Sequence, residues 1–264
     1  MSVHHALAAL SRRDRVLIST CLVVISGLAW VYLVHLDRQM SSSMEYDTMM
    51  AKMGMTTNMS WTAADVFFTF AMWAVMMVGM MAGTAAPVLL LFAAARAGRG
   101  ERGMRLAVLM FGLGYVTVWV GFSVCAALAQ WALHQTAMLS PAMAASSPYL
   151  AGAILIGAGA YQWTPWKGAC LTQCRSPLGF LMTNWRDGQL GALHMGVRHG
   201  AYCLGCCWAL MCVLFVVGVM NLVWVATLTG FVLLEKIGPA GTIVARVAGA
   251  AMVLVGIFLI AAKV

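Results

Sequence analysis

Long apolar stretches separated by short polar and basic segments make up most of this chain. Uncharged apolar runs occupy 16–36, 66–95, 106–133, 149–163, 201–234 and 247–262. A helix needs about 20 apolar residues to cross the hydrocarbon core of a bilayer. The run at 201–234 is long enough for two crossings if the chain turns near Gly218–Asn221. The pattern predicts an all-α polytopic transmembrane bundle of six to seven spans, with residues 1–264 forming a single membrane domain.

Composition and charge extend this picture. Hydrophobic residues make up 62% of the chain and charged residues only 9%, against about a quarter charged in soluble domains. The net charge of +8 would suggest nucleic acid for a soluble protein, but here the basic residues are sorted by loop, so no nucleic-acid partner is predicted. With seven spans, all Lys and Arg residues fall on one side except Arg38, Lys52 and Lys263. Since cytoplasmic loops carry the excess of Lys and Arg, the amino terminus is predicted to be cytoplasmic.

Soft metal ligands recur at one-turn spacing where the chain enters the fifth apolar run. Their side chains would lie along one side of a helix, and the stripe consists of Met195, His199, Cys203, Cys207 and Met211. Because such a stripe drifts by about 40° per step, three or four neighbours can share one ion. Thiolate and thioether favour Cu(I), while thiolate with imidazole also suits zinc, so copper is the predicted metal and zinc the less favoured one. His199, Cys203 and Cys207 are the predicted core ligands.

Further thiols lie nearby. Cys206 follows Cys203 at i+3, and Cys170 and Cys174 lie in the predicted cytoplasmic Cys-containing loop, 164–198. Pro177 breaks any helix in this loop, so the loop can fold back towards Cys203. Cysteines in a reducing compartment stay unpaired and are typical of metal or redox sites. Cys170, Cys174 and Cys206 are therefore predicted as accessory or exchange ligands.

Methionine is the second unusual feature, with 22 residues. A first group lies in the predicted external Met-rich loop, 37–61, and comprises Met40, Met44, Met49, Met50, Met53, Met55 and Met59. A second group forms an i+4 stripe in the next span at Met72, Met76 and Met80. Thioethers bind Cu(I) without losing a proton. Together with His199, Cys203 and Cys207, the two methionine groups predict a relay of copper from the external loop through the membrane to the cysteines.

Other interpretations stay open. Gly196 and Gly200 have the spacing of a close helix contact, so the small and sulfur-bearing residues could serve packing alone. Cys203-x-x-Cys206 has the spacing of a thiol-disulfide oxidoreductase. Alternatively, the Met-rich segment could dock a partner protein in an assembly or scaffold subunit. Glu235 and Lys236 close a span at the cytoplasmic face. Glu235 is predicted to belong to a solvated helix end, and the alternative is that it supports a metal ligand or docks a partner.

Three long motifs carry a family resemblance: CRSPLGFLMTNWRDG from Cys174, MGVRHGAYCLGCCWALM from Met195 and MNLVWVATLTGFVLLEK from Met220. They resemble a bacterial family of predicted metal-binding integral membrane proteins, sometimes labelled copper chaperones, from about Met72 to Lys236. The resemblance implies a multi-pass protein of the bacterial inner membrane. It also implies metal ligands at Cys174, His199, Cys203, Cys206 and Cys207, with Asn184, Arg186, Asp187, Asn221 and Glu235 as pattern positions without known roles.

The predicted function is Cu(I) binding for copper transport or delivery, with a metalloenzyme or a soluble metallochaperone as partner in addition to the lipid bilayer. A homo-oligomer is also possible. The predicted metal residues are His199, Cys203, Cys206, Cys207, Cys170, Cys174, Met195, Met72, Met76 and Met80. No phosphate-binding loop of a nucleotide-driven pump is found, and an enzymatic activity is not favoured.

Overall fold

A computed structural model describes residues 10–52, 61–101, 103–136, 138–139 and 143–262. The regular structure of these residues is helical, which confirms the all-α prediction. The helices are α1 (Arg12–Lys52), α2 (Ala63–Gly98), α3 (Met104–Gln135), α4 (Pro148–Tyr161), α5 (Pro165–Arg175), α6 (Pro177–Asn184), α7 (Gly188–Cys212), α8 (Leu214–Val217), α9 (Leu222–Ile237) and α10 (Gly241–Ala261).

Five segments of the described chain are long and apolar enough to cross a membrane: Arg12–Met40, α2, α3, Gly188–Val217 and α10. Helix α4 is apolar but shorter. The turn predicted near Gly218–Asn221 is confirmed, because Gly218 adopts a φ of 97°, a value that favours glycine. Asn221 then caps α9 by accepting a hydrogen bond from the Trp224 backbone N–H at 3.4 Å. A total of six or seven spans and the orientation of the amino terminus stay predictions.

Both predicted loops contain helix. The Met-rich segment at 37–61 is helical as far as Lys52, because α1 continues well beyond its apolar run. Residues 53–60, which include Met53, Met55 and Met59, lie outside the described residues. The Cys-containing segment at 164–198 comprises α5, α6 and the first turns of α7. Proline begins both short helices, at Pro165 and Pro177, where its missing N–H costs no hydrogen bond.

Helix α7 is central to the bundle, and α3 and α5 pack along it. The α3–α7 crossing is close enough that glycines are required on both sides. A Cβ on Gly114 would meet the Leu193 carbonyl and the Val197 backbone N–H of α7, and a Cβ on Gly196 would meet the Phe111 carbonyl of α3. Small residues at such contacts let helix backbones approach. The packing role considered for Gly196 is thus present beside the cysteines and does not replace them.

Replacing Gly114 with alanine should therefore destabilise the bundle by about 1–3 kcal/mol, since the added methyl group overpacks the crossing. Gly112→Ala is the matched control on the same helix, because a Cβ there would meet nothing within 4 Å. The midpoints of thermal unfolding in detergent compare the two variants. Equal midpoints would show that the crossing tolerates a wider separation than the structure has.

Candidate metal site

The one-sided stripe predicted on α7 is buried as a whole. Met195, His199, Cys203, Cys207 and Met211 are at most 3% exposed. Helix α7 begins at Gly188, where φ is 78°, and continues without interruption to Cys212. The i+4 spacing therefore places all five side chains towards the interior of the bundle, as a helix of 3.6 residues per turn requires.

Four cysteine thiols lie together on the buried side of α7, and we call them the thiol cluster: Cys174, Cys203, Cys206 and Cys207. The Cys174 thiol, on α5, lies beside the thiols of Cys203 and Cys206 and interacts electrostatically with both. Cys207 also interacts with both of these thiols. The Cys206 and Cys207 thiols donate to the Cys203 carbonyl at 3.0 and 2.9 Å. The thiol cluster thus joins α5 to α7, the arrangement expected if the Cys-containing segment folds back.

Cys170 lies at the edge of the thiol cluster. Its Sγ contacts the α7 backbone at Gly205, where an added Cβ would come within 2.7 Å of the sulfur. Three cysteines lie apart from the thiol cluster: Cys21 and Cys125 are exposed, and Cys212, at the end of α7, is partly buried. All eight cysteines are free thiols.

Cys203 is the best-connected member of the thiol cluster. Its Sγ lies 2.8 Å from the Lys236 ammonium nitrogen and 3.0 Å from the Tyr115 hydroxyl oxygen. The Thr84 hydroxyl oxygen lies 3.9 Å away and contacts both Tyr115 and Lys236. These partners come from α2, α3 and α9. Sequence reasoning missed all three, because helical periodicity relates residues within one helix and not across helices.

The solvated helix end predicted at Glu235 and Lys236 is wrong. Glu235 is 0% exposed and Lys236 is 8% exposed. The Glu235 carboxylate accepts hydrogen bonds from the Lys167 ammonium of α5 at 2.7 and 2.9 Å, and Lys167 also donates to the Gln162 side chain. A buried charge needs such a partner to compensate its lost hydration. The α9 terminus is therefore covered by α5 instead of facing solvent.

Helix α5 is also attached to α9 at its other end. The Arg175 guanidinium donates to the Glu235 carbonyl at 2.7 Å and to the Gly238 carbonyl at 2.8 Å. These carbonyls lack partners within α9 and carry the negative end of its dipole, so a cation there is favourable. Cys170 and Cys174 lie between the two attachments, at Lys167 and Arg175. The position of the α5 thiols over α7 thus depends on contacts to α9.

A cavity of about 200 Å³ lies next to the thiol cluster. Its lining includes Cys174, Arg175, His199 and Lys236. His199 is 3% exposed, and its Nδ1 is buried without a hydrogen-bond partner. Its ring is held between aromatic neighbours, with centroid distances of 4.9 Å to Phe180 and 5.9 Å to Tyr115, in the latter case stacked. This imidazole thus has a nitrogen available for a ligand.

The thiols of α5 are less acidic than a free cysteine. Burial raises the pKa of Cys170. The pKa of Cys174 is raised well above its usual range, chiefly by the interaction of its thiol with the Cys203 and Cys206 thiols, with burial adding to the effect. A metal that binds Cys174 must therefore displace a proton, as metals generally do at thiols.

The arrangement is a hydrogen-bonded cluster and not a coordination cage. Within the described ranges, no group of three or more His, Cys, Asp or Glu side chains is arranged so that it could hold a metal ion without moving. To bind a metal, the Cys203 sulfur would have to give up its contacts with the Lys236 ammonium and the Tyr115 hydroxyl. The chemistry of the donors nevertheless fits a soft ion, because several thiols and one imidazole with an unpartnered nitrogen lie side by side.

The predicted methionine stripe lies in the core. Met72, Met76 and Met80 are at most 5% exposed, and the same i+4 spacing leads one turn further to Thr84, which contacts Cys203. Met195 is placed differently, since its sulfur accepts a hydrogen bond from the Arg186 backbone N–H at 3.4 Å. The stripe thus ends at the thiol cluster, and its burial also fits a plain packing role.

Comparison with known proteins assigns most of the chain to a family. A family model described as PpoB2, copper chaperone, matches residues 70–259, which is most of the 264-residue chain. The matched range contains the methionine stripe, the thiol cluster and Lys236. No curated protein and no solved structure matches.

Proposed function

Because this chain belongs to the PpoB2 copper chaperone family, we propose that it binds Cu(I) at the thiol cluster and delivers the ion to a metalloenzyme or a soluble metallochaperone. Family membership confirms the resemblance drawn from the three motifs and gives the protein a copper-related role. The observation that carries the proposal is the convergence of Cys174 with Cys203, Cys206 and Cys207 in a buried site beside His199. Copper is the cargo, so the site must both take it up and release it.

Cys203 and Cys174 are the ligands that the geometry favours most. They belong to different helices and their thiols are in contact, which suits the low coordination numbers that soft ligands allow Cu(I). Cys206 and Cys207 are close enough to Cys203 to act as exchange ligands, because both thiols donate hydrogen bonds to the Cys203 carbonyl. His199 adds a nitrogen donor, and zinc is the alternative metal that such a mixed donor set would accept.

The same proposal includes the placement in the membrane. We propose that α4 and α9 join the five long apolar segments to give seven crossings, and that the amino terminus lies in the cytoplasm of a bacterial inner membrane. The basic residues of the α5–α7 segment, including Lys167, Arg175, Arg186 and Arg198, support a cytoplasmic position for the thiol cluster. Assembly into a homo-oligomer is a further prediction, which the mass of the protein in detergent tests.

The proposal is tested by purifying the protein anaerobically in detergent, supplying Cu(I) or Zn(II), and counting bound metal by mass spectrometry. We expect copper to bind in roughly equimolar amount with the protein. X-ray absorption should show sulfur ligands to that copper. If the thiols are reduced and no metal binds, the proposal is wrong. A trapped mixed disulfide at Cys203 or Cys206 would then favour the oxidoreductase, and copurification of a partner without cysteine dependence would favour the scaffold.

The methionine stripe is proposed as the intramembrane part of the copper path. Replacing Met72, Met76 and Met80 with leucine conserves volume, so the cost in stability should stay below about 1.5 kcal/mol per site. We expect copper stoichiometry to persist and copper passage into vesicles to slow. The matched control replaces Met77 and Met81 on the neighbouring stripe, which are equally buried. If copper enters vesicles at the same rate in the wild type and in all variants, the methionines serve only packing.

A further inference from the structure

We propose that the cavity beside the thiol cluster is where copper is exchanged with a soluble carrier, and that it admits Cu(I) as an anionic bis-thiolate complex and not as a free cation. This inference rests on the proposed binding of Cu(I) at the thiol cluster. It adds the chemical class of the substrate and the place at which it enters or leaves.

The cavity connects the thiol cluster to the protein surface. Its lining includes Pro87, which is exposed, and Ile237, which is 65% exposed. Cys174, Thr84 and Lys236 also line it. Thr84 and Lys236 both contact the Cys203 sulfur. A group that enters the cavity therefore reaches Cys174 at its wall and is separated from Cys203 by Lys236 and Thr84.

The volume of the cavity suits a small sulfur ligand. About 200 Å³ holds several water molecules, each of which takes about 30 Å³ in the liquid. A copper ion held between two small thiolate groups has room in such a space, whereas a folded domain does not. The carrier must therefore present its copper on two exposed thiolates, or be a small thiol that binds copper in pairs.

The charge of the cavity selects against a bare cation. Two of its lining side chains are cationic, Arg175 and Lys236, and none of the described lining residues is acidic. The nearest buried carboxylate, Glu235, is already paired with Lys167. A positive cleft raises the local concentration of anions and lowers that of cations. Cu(I) held by two thiolates is an anion, so the cavity attracts the complex while it would repel the free ion.

His199 supplies the cavity with a nitrogen ligand for the arriving copper ion. Its Nδ1 is buried, has no hydrogen-bond partner and belongs to a side chain that lines the cavity. An unpartnered buried nitrogen is costly unless a ligand satisfies it. We assign to His199 the transient third ligand that holds copper while its sulfur ligands change.

The exchange conserves charge and oxidation state. A copper–sulfur bond to Cys174 forms as one copper–sulfur bond to the carrier breaks, and Cys203 then replaces the second carrier sulfur. In each exchange the departing carrier thiolate takes up any proton that the incoming cysteine loses, so the charge balances at both steps. Copper remains Cu(I) throughout, so neither an oxidant nor a reductant is needed.

The test compares two Cu(I) donors that share a bis-thiolate core and differ in charge. The first is the complex with 3-mercaptopropionate, which is strongly anionic, and the second is the complex with cysteamine, whose ammonium groups make it cationic. Copper transfer to the protein in neutral detergent is followed anaerobically under identical thiol excess. We expect the wild type to take copper roughly tenfold faster from the anionic donor, and this preference should fall as salt is added.

Three variants assign the preference to the cavity. Arg175→Gln should reduce the transfer rate from the anionic donor roughly threefold to tenfold without reducing the rate from the cationic donor, whereas a loosened α5 would change the transfer from both donors. Arg175→Lys keeps the charge and should retain the rate. Arg198→Gln removes an exposed arginine next to His199 that does not line the cavity, and should also retain it.

Several results would overturn the inference while the proposed function stands. They are equal transfer from both donors, loss of rate in Arg175→Lys as large as in Arg175→Gln, or a comparable loss in Arg198→Gln. Absence of copper uptake by the wild type from either donor would instead contradict the proposed function itself. The two failures are thus distinguished by the copper content of the unmodified protein.

Discussion

The double variant Cys174→Ser, Cys203→Ser is expected to lose the Cu(I) bound by the wild-type protein. Serine replaces a soft sulfur by a hard oxygen that Cu(I) disfavours, and the two changes remove the thiols that join α5 to α7. Loss of a residue that merely supports a metal ligand costs about 10–100-fold in affinity. Loss of two ligands should exceed that range, and bound copper measured against a competing chelator gives the change in affinity.

The control for this variant is Cys125→Ser, since Cys125 is an exposed lone cysteine of α3. It should bind copper like the wild type. A serine hydroxyl at position 203 can still hydrogen-bond to Tyr115 and Lys236, so the double variant should keep its thermal unfolding midpoint. Unchanged copper affinity in a folded double variant would place the site elsewhere, with Cys206 and Cys207 as the next pair to replace.

Much of this site follows from periodicity within single helices. The spacing of Met195, His199, Cys203 and Cys207 determines that they share one side of α7, and the burial of that side agrees. The turn at Gly218–Asn221 follows from small and polar residues in a long apolar run. The fold-back of Cys174 was foreseen only as a possibility, because a proline in a loop permits a reversal without determining where the chain goes next.

The charged part of the site was beyond sequence reasoning. A lysine after an apolar run has the pattern of an interfacial residue, since long basic side chains usually extend to water. Lys236 instead contacts a cysteine that is 33 residues away in the chain, and Glu235 meets a lysine 68 residues away. These contacts depend on how α5 and α9 cross, which no local pattern specifies. The partners of a buried charge thus had to come from the structure.

The ion pair between Lys167 and Glu235 leads to the second large prediction. Lys167→Met leaves the Glu235 carboxylate fully buried without its ammonium partner, and breaking a buried pair in this way costs about 3–5 kcal/mol. Because the pair attaches α5 to α9, the Cys174 thiol should also become more accessible. Unfolding midpoints in detergent report the first effect, and the rate of alkylation of Cys174, followed by mass spectrometry of its peptide, reports the second.

The double variant Lys167→Met, Glu235→Gln separates the loss of attraction from the cost of an unpaired charge. With both charges removed, no bare carboxylate remains, so most of the stability should return. Cys174 should stay more accessible than in the wild type if the ion pair positions α5. The exposed pair Arg105–Asp14, at 3.0 Å, provides the control, because Arg105→Met should cost less than about 1 kcal/mol. If Lys167→Met is as mild as this control, Glu235 must find water or another cation, and α5 must be held over the thiol cluster chiefly by Arg175.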